Sequence, residues 1–482
     1  MNMLLSPAAD MLLIPIAAAA LLAAIPFYRL SAWINVLASL ATFVAALALL
    51  VWPTVPTGHL IQVDDLNIVF LLLNALIGFT ASLFGKSYLA HELETGRLLP
   101  AHLRFYHAVY QILMCMMNLA LLTSVAGLMW VAIEIATLAT VLMVGIYRTH
   151  EALEAAWKYF ILGSVGIALA LFGTILVYLA AQASVGAGLA AMSWSTLTSH
   201  AAHFDPAMLN IAFVFLLLGY GTKAGLVPLH AWLPDAHAEG PTPVSAILSG
   251  LLLNLAIYAI LRFKIVLTAS HATIAAGPMM MTLGLVSVLV AALMLYRRRD
   301  IKRFFAYSSI EHIGIIAFAF GLGGPLANFA GLLHMTMHSL TKSGIFFTVG
   351  HIVSIKHTQK IAHIGGLTIS HPRLGWLFVA CIAAIAGLPP FGVFTSEFLV
   401  VSSAFMQNPL LAAVLVIGLL ISLGALFLRL NDIAFGEPKG SLTPNKMSYF
   451  PELVHLALVL AAGIFIPSQL ASWFQHAAKL LG

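Results

Sequence analysis

Charge is what this 482-residue sequence has least of: Asp, Glu, Lys and Arg together make up 8% of it. A soluble domain carries about a quarter, so a water-solvated globule is excluded. Cysteine is equally scarce. Cys115 and Cys381 are the two present, both within apolar runs, and two thiols cannot supply the four that hold an iron–sulfur cluster. There is no C-x-x-C-H haem-attachment pattern, and no disulfide framework is implied. No polar stretch is long enough for a second domain. Apolar residues, by contrast, make up 61% of the chain, with a mean hydropathy of +1.02. In so apolar a chain the net charge of +5 does not point to nucleic acid. It reads as basic loops on the cytoplasmic face of a membrane.

Apolar runs of spanning length fall at about residues 11–27, 32–52, 66–88, 105–123, 126–147, 156–181, 207–226, 243–263, 278–296, 302–321, 327–354, 374–400, 409–430 and 450–473. Only helices and closed barrels satisfy their backbone in lipid, and continuous runs of this length are helical. The expectation is an all-α polytopic membrane protein of about fourteen transmembrane helices in a single domain, residues 1–482. The first run follows Asp10 rather than a basic stretch, which reads as an uncleaved helix rather than a signal peptide. Alternate loops, assigned to opposite sides, gather most of the 22 lysines and arginines on one of them. Arg29, Lys86, Arg148, the Arg297–Arg303 cluster including Lys302, Lys356 and Lys439 fall there, and Arg262, Lys264 and Lys479 fall opposite. Basic loops stay in the cytoplasm, so both termini are expected on the periplasmic side of the inner membrane.

The informative residues are ionisable ones inside the runs. Glu134 lies mid-way through the fifth and Lys223 late in the seventh. Glu311 and His312 lie in the tenth, His334, His338 and Lys342 in the eleventh, and Glu397 in the twelfth. Each charge at a helix centre costs roughly 2.5–3.5 kcal/mol on insertion. One such residue alone would read as a structural pair. The set alternates in sign across successive helices, which is what stepwise proton transfer through a low-dielectric interior requires. Four-residue steps drift by only about 40° on an α-helix, so His334, His338 and Lys342 share a face. Two histidines one turn apart on one helix cannot sandwich a haem iron.

Proline and glycine mark two interruptions. Pro228, Pro234, Pro241 and Pro243 follow Lys223, and Gly387-Leu-Pro-Pro-Phe-Gly392 precedes Glu397. The interrupted seventh and twelfth helices are five apart. This pattern predicts two five-helix repeats, about 105–263 and 278–430, and an odd number of helices inverts one against the other.

At these residues the chain resembles the antiporter-like, proton-translocating subunits shared by respiratory complex I, multisubunit cation/proton antiporters and membrane-bound nickel–iron hydrogenases. The stretch from Lys223 through His230 and Asp235 to Ala246 carries the family's signature, and Asp300–Ser309 and His334–Lys342 also match. Ser308–Gly321 and Gly387–Phe398 fit the hydrogenase-4 and formate hydrogenlyase branch better than the complex I subunits. The resemblance implies that Glu134 and Lys223 are a charge pair and that Glu397 is the ionisable group of the broken twelfth helix. His230, Asp235, Glu311, His312, His334, His338 and Lys342 complete the implied proton path. In the eighth helix, where the family often has lysine or histidine, this sequence has Asn254, which shifts the relay toward the tenth and eleventh helices. No cofactor is expected in this chain; nickel–iron and iron–sulfur centres are expected in partner subunits. The implied partners are other membrane subunits, a hydrophilic hydrogenase-like arm, the lipid bilayer and protons. A subunit of an NADH–quinone oxidoreductase remains an alternative, as does a cation/proton antiporter or ion-coupled uptake component without a redox partner.

Overall fold

The computed structural model describes residues 6–52, 60–271, 274–445 and 447–482. Its helices are α1 Pro7–Ala24, α2 Tyr28–Val51, α3 Ile68–Glu94, α4 Pro100–Leu122, α5 Ala126–Val144, α6 His150–Val185 and α7 Trp194–His200. Then come α8 Pro206–Ala224, α9 Leu233–Glu239, α10 Thr242–Ile247, α11 Leu253–Thr268, α12 Ala276–Arg297, α13 Ile301–Leu322 and α14 Gly324–Lys356. The last are α15 Leu367–Ser370, α16 Pro372–Ile385, α17 Gly392–Gln407, α18 Pro409–Ala434, α19 Phe450–Ile464 and α20 Ser468–Leu480. Among the described residues there are isolated β-bridges but no named strand.

Each of the expected runs falls on helix, but they do not amount to fourteen continuous spans. Among the described residues, eleven helices are long and apolar enough to cross a membrane, or twelve if one bent pair counts as one span. The shortfall has physical causes. Helix α14 is long, but three histidines, two lysines and a series of Ser and Thr make it polar. The twelfth run is split into α16 and α17 at the expected Gly-Pro interruption. The last run, expected as one helix, breaks before Pro467 into α19 and α20, which meet at 77°.

Large apolar side chains lie exposed along α1, α2, α6 and α18, among them Trp33, Leu37, Val165 and Leu420. The centre is polar by comparison. Helix α14 is buried almost continuously from Ala327 to Lys356, and α10 runs through a π-helical turn at Leu248–Leu252 into a buried α11. At that turn Gly250 brings backbone against α14, where a Cβ would strike Ser343.

Close helix pairs rest on glycine, as membrane packing favours. A Cβ on Gly219 of α8 would come within 2.6 Å of Gly166 O on α6, and one on Gly284 of α12 within 2.6 Å of Gly314 O on α13. Two further glycines permit the interruptions. Helix α8 stops at Gly225 (φ 76°), and α16 is followed by Gly387 (φ 63°), a left-handed conformation natural to glycine.

Four basic residues assigned to loops lie in the interior. Arg262 and Lys264 are within α11, because that helix runs beyond the apolar stretch to Thr268. Arg262 Nη2 is 2.7 Å from Asp64 Oδ2, and Lys264 Nζ donates to Phe320 O. Lys302 Nζ donates to the carbonyls of Ala238 and Gly240, and Lys356 Nζ to those of Lys439 and Ser441. These residues tie loops to helix ends.

Candidate proton-translocation site

The first cluster forms where α5, α6 and α8 meet. Lys223 lies in the last turn of α8 and is 1% exposed. Its Nζ donates to Thr137 Oγ1 at 2.8 Å, and that hydroxyl in turn donates to Ile133 O. Room for the ammonium comes from Gly163 of α6, where a Cβ would lie 2.9 Å from Nζ. The Tyr159 ring lies 5.6 Å away and stacks on Trp232, whose Nε1 donates to Thr222 O. This anchors the interrupted segment to the end of α8. Glu134 sits three residues before Thr137, half-buried, with Oε2 unpartnered. The resemblance implied a charge pair with Glu134; the two charges are near enough to act on each other, while the ammonium's hydrogen bond goes to Thr137.

The second cluster is denser. Glu311 and His312 project from α13, His334, His338 and Lys342 from α14, and Ser396 and Glu397 from α17. His312 Nδ1 lies 3.0 Å from His334 Nε2, and the rings stack at 5.2 Å. The tautomers follow from the hydrogen bonds. Ser396 Oγ donates to Val393 O, so it accepts from His334 Nδ1 at 2.8 Å. His334 Nε2 is therefore the acceptor, and His312 Nδ1–H donates to it. Glu397 Oε1, 3.8 Å from the same Nδ1, is a second destination for that proton. His338 stacks on His312 at 5.6 Å with both ring nitrogens buried and unpartnered. Lys342 Nζ donates to Phe305 O. A cavity of about 230 Å³ borders Glu311, Gly387 and Glu397, and Gly387 leaves the space that Glu397 Oε2 occupies. His312, His334 and Glu397 have ligand atoms within 4.8 Å of one another, close enough for a metal ion. The His312–His334 hydrogen bond, however, engages the lone pair that a metal would use.

The remaining candidates are dispersed. Asn254 of α11 donates to Met335 O and Ser339 Oγ, fastening α11 to α14. His230 is half-buried beside Tyr307, with ring centroids 6.0 Å apart. Asp235 stands in a partly exposed ion network, 3.2 Å from Lys158 and 3.1 Å from Arg303, which also meets Glu239. It does not join the buried clusters. His237, two residues on, is one that sequence reasoning passed over. It is fully buried, stacked on Phe346 at 4.7 Å, and both nitrogens are unpartnered. Lys302 and Lys342 are its charged neighbours, so it lies between the interrupted segment and α14. The Asp235-Ala-His237-Ala-Glu239 alternation within the signature was the available signal.

Comparison with known proteins agrees with this construction. Residues 125–422 match the family described as NADH:quinone oxidoreductase/Mrp antiporter, transmembrane. The chain is 61% identical over 474 residues to a hydrogenase-4 component F homolog of Methylacidiphilum infernorum (isolate V4), covering 98% of this chain and 99% of that one. The fold is that of a chain in the membrane-bound sulfane sulfur reductase, an archaeal respiratory membrane complex (TM-score 0.87, 21% identity, 98% and 97% covered). It is also that of a chain in respiratory complex I from Thermus thermophilus (TM-score 0.83, 22% identity, 100% of both covered). The branch that Ser308–Gly321 and Gly387–Phe398 pointed to is thus the branch of a full-length relative. With its interrupted helices, buried lysines and histidine-lined interior, this multi-pass membrane protein belongs to the NADH:quinone oxidoreductase/Mrp antiporter family.

Proposed function

We propose that this chain is the proton-translocating, antiporter-like membrane subunit of a respiratory-type complex of the membrane-bound nickel–iron hydrogenase or formate hydrogenlyase kind. The observation that carries the reading is the His312–His334 hydrogen bond, 3.0 Å long and buried, with Glu397 as an alternative acceptor 3.8 Å from the same nitrogen. A proton reaching His312 at Nε2 releases the one on Nδ1 to either neighbour, and the imidazole resets by exchanging tautomers. Lys223, Thr137 and Glu134 form the corresponding station in the other half, and His237 adds a buried imidazole with Lys342 among its neighbours. Two inverted five-helix repeats, about 105–263 and 278–430, account for the matching interruptions at Gly225 and Gly387.

Electron transfer belongs, on this reading, to other subunits. Cys115 in α4 and Cys381 in α16 are both buried thiols and fall short of the ligands of a cluster. Nickel–iron and iron–sulfur centres sit in a hydrophilic hydrogenase-like arm. The chain lies in the inner membrane among other membrane subunits, with the Arg297–Arg303 loop in the cytoplasm and both termini outside. Purification in mild detergent through a tag on this chain tests the assignment: nickel and a hydrogenase large subunit are expected to co-purify. Flavin with an NADH site in their place overturns the branch. Sodium-dependent transport by a preparation free of metal cofactors overturns the redox coupling.

A further inference from the structure

An apolar groove of about 720 Å³ runs between α4, α5 and α6, and neither charged cluster borders it. Phe105 of α4, Leu138 and Leu142 of α5 and Trp157 of α6 line it. Leu142 is 52% and Trp157 62% exposed, so the groove opens outward. Helices α5 and α6 pack directly behind it, where a Cβ on Gly145 would lie 3.3 Å from that of Ala156. From Leu138 to Gly145 is seven residues, about 10 Å along the helix axis. That depth suits an apolar chain lying along α5, beyond what a small head group needs.

The polar side chains are confined to one end. Apart from the indole of Trp157, the polar side chains lining the groove among the described residues are His102 and Arg148. Arg148 follows the turn that ends α5 and is exposed. Among the described residues its guanidinium has no hydrogen bond and no ion pair. Leu99 N donates to His102 Nδ1 at 3.4 Å, so the neutral ring carries its hydrogen on Nε2, which is left free to donate. Arg148 is near enough to act on this ring. No carboxylate borders the groove: Glu154, in the first turns of α6, is paired with Lys158 at 2.6 Å. Helices α4 and α6 both begin at this end, at Pro100 and His150, and a helix N-terminus favours an anion.

We infer that the groove binds an anionic phospholipid, with its phosphate on Arg148 and His102 and an acyl chain along Leu142 and Leu138. The planar fork of arginine matches phosphate oxygens, and Trp157 is of the type that settles at the membrane–water interface. A zwitterionic head group would bring a second cation up to Arg148. A helix from a neighbouring subunit would need its own carboxylate at this depth, whereas the lipid carries its phosphate there by construction. The inference stands independently of the proton-translocation reading.

The test uses the assembled complex in phosphatidylcholine vesicles, with brominated acyl chains as quenchers of tryptophan fluorescence. Brominated phosphatidylglycerol is compared with brominated phosphatidylcholine, and the quenching lost in Trp157→Phe isolates this groove. The phosphatidylglycerol is expected to fill it at about tenfold lower mole fraction, the scale of one charge-assisted hydrogen bond. Arg148→Gln should abolish that preference, and Arg148→Lys, which keeps the charge without the fork, should retain part of it. Equal curves for the two lipids in wild type mean an ordinary boundary lipid and overturn the inference. A preference that survives Arg148→Gln overturns it too. So does the absence of Trp157-dependent quenching by either lipid; capture of a neighbouring subunit by a photoreactive amino acid in place of Leu142 would then assign the groove to protein. If Arg148→Gln does not assemble, wild type decides. Raising ionic strength from about 0.01 M to 1 M shortens the screening length from about 30 Å to 3 Å and should erase the preference, and a preference indifferent to salt overturns the inference.

Discussion

The two charged clusters are built on different plans. Around α8, one ammonium depends on one threonine, and the nearest carboxylate is half-exposed at the rim. Around α14, three imidazoles, a lysine and two glutamates crowd together, two of the rings directly bonded. The sparse cluster has no substitute for any member, whereas the dense one has a spare: His338 stacks on His312 and makes no hydrogen bond of its own. Loss of a single group should therefore be felt more in the first cluster than in the second.

Lys223→Met should have the largest effect, a fall in proton translocation of about a hundredfold or more with turnover measured alongside. A variant that pumps normally would collapse the comparison. Gly387→Ala comes next, because it attacks the dense cluster through the backbone. The left-handed φ costs about 1–2 kcal/mol for a residue with a Cβ, and that Cβ overlaps Glu397. A thermal-unfolding assay of the detergent-solubilised complex should show a lower midpoint, and Gly163→Ala, at ordinary φ, a smaller change.

Thr137→Val leaves Lys223 without its hydrogen bond, a loss of about 1–3 kcal/mol and about tenfold in translocation, since 1.4 kcal/mol is roughly one decade. Thr137→Ser should restore both; if it does not, packing rather than the hydroxyl is what matters. His338→Gln should cost only a few-fold, because the His312–His334 bond survives it. A loss as deep as that of Lys223→Met would show that the dense cluster has no spare member. Lys158→Ala sits at the bottom of the scale. Its pairs with Glu154 and Asp235 are exposed or partly so, and such pairs contribute about 0–1 kcal/mol, so vesicle acidification should match wild type.

The membrane-buried charges could be read in the sequence because a charge in an apolar run is too costly to be incidental, and the interruptions because Gly and Pro announce them. Other features depend on contacts remote along the chain. Lys302 and Lys356 read as loop cations, since nothing local reveals the carbonyls that receive them. Glu452 is not singled out in the sequence, and only the packing of α19 on α14 brings it to His351. Asp235 shows the converse: a signature residue whose partners, Lys158 and Arg303, hold it at the surface. The break in the last run was signalled by Pro467 but masked by the apolar Phe465 and Ile466 just before it.

The column on α14 has an electrical consequence. From His334 to Lys342 is eight residues, about 12 Å along the helix axis at 1.5 Å per residue, or about two-fifths of a hydrocarbon core roughly 30 Å thick. A unit charge crossing the whole membrane exchanges about 2.3 kcal/mol per 100 mV with the field. A proton travelling the length of this column therefore gains or loses about 0.9 kcal/mol per 100 mV, roughly a fivefold change in its distribution between the two ends. Hops from α14 to α13 or α17 run across the field and exchange almost nothing with it. On the proposed relay, this one helix would carry about two-fifths of the voltage-dependent work, and a voltage-clamped bilayer would register His334-to-Lys342 transfer as that share of the charge movement.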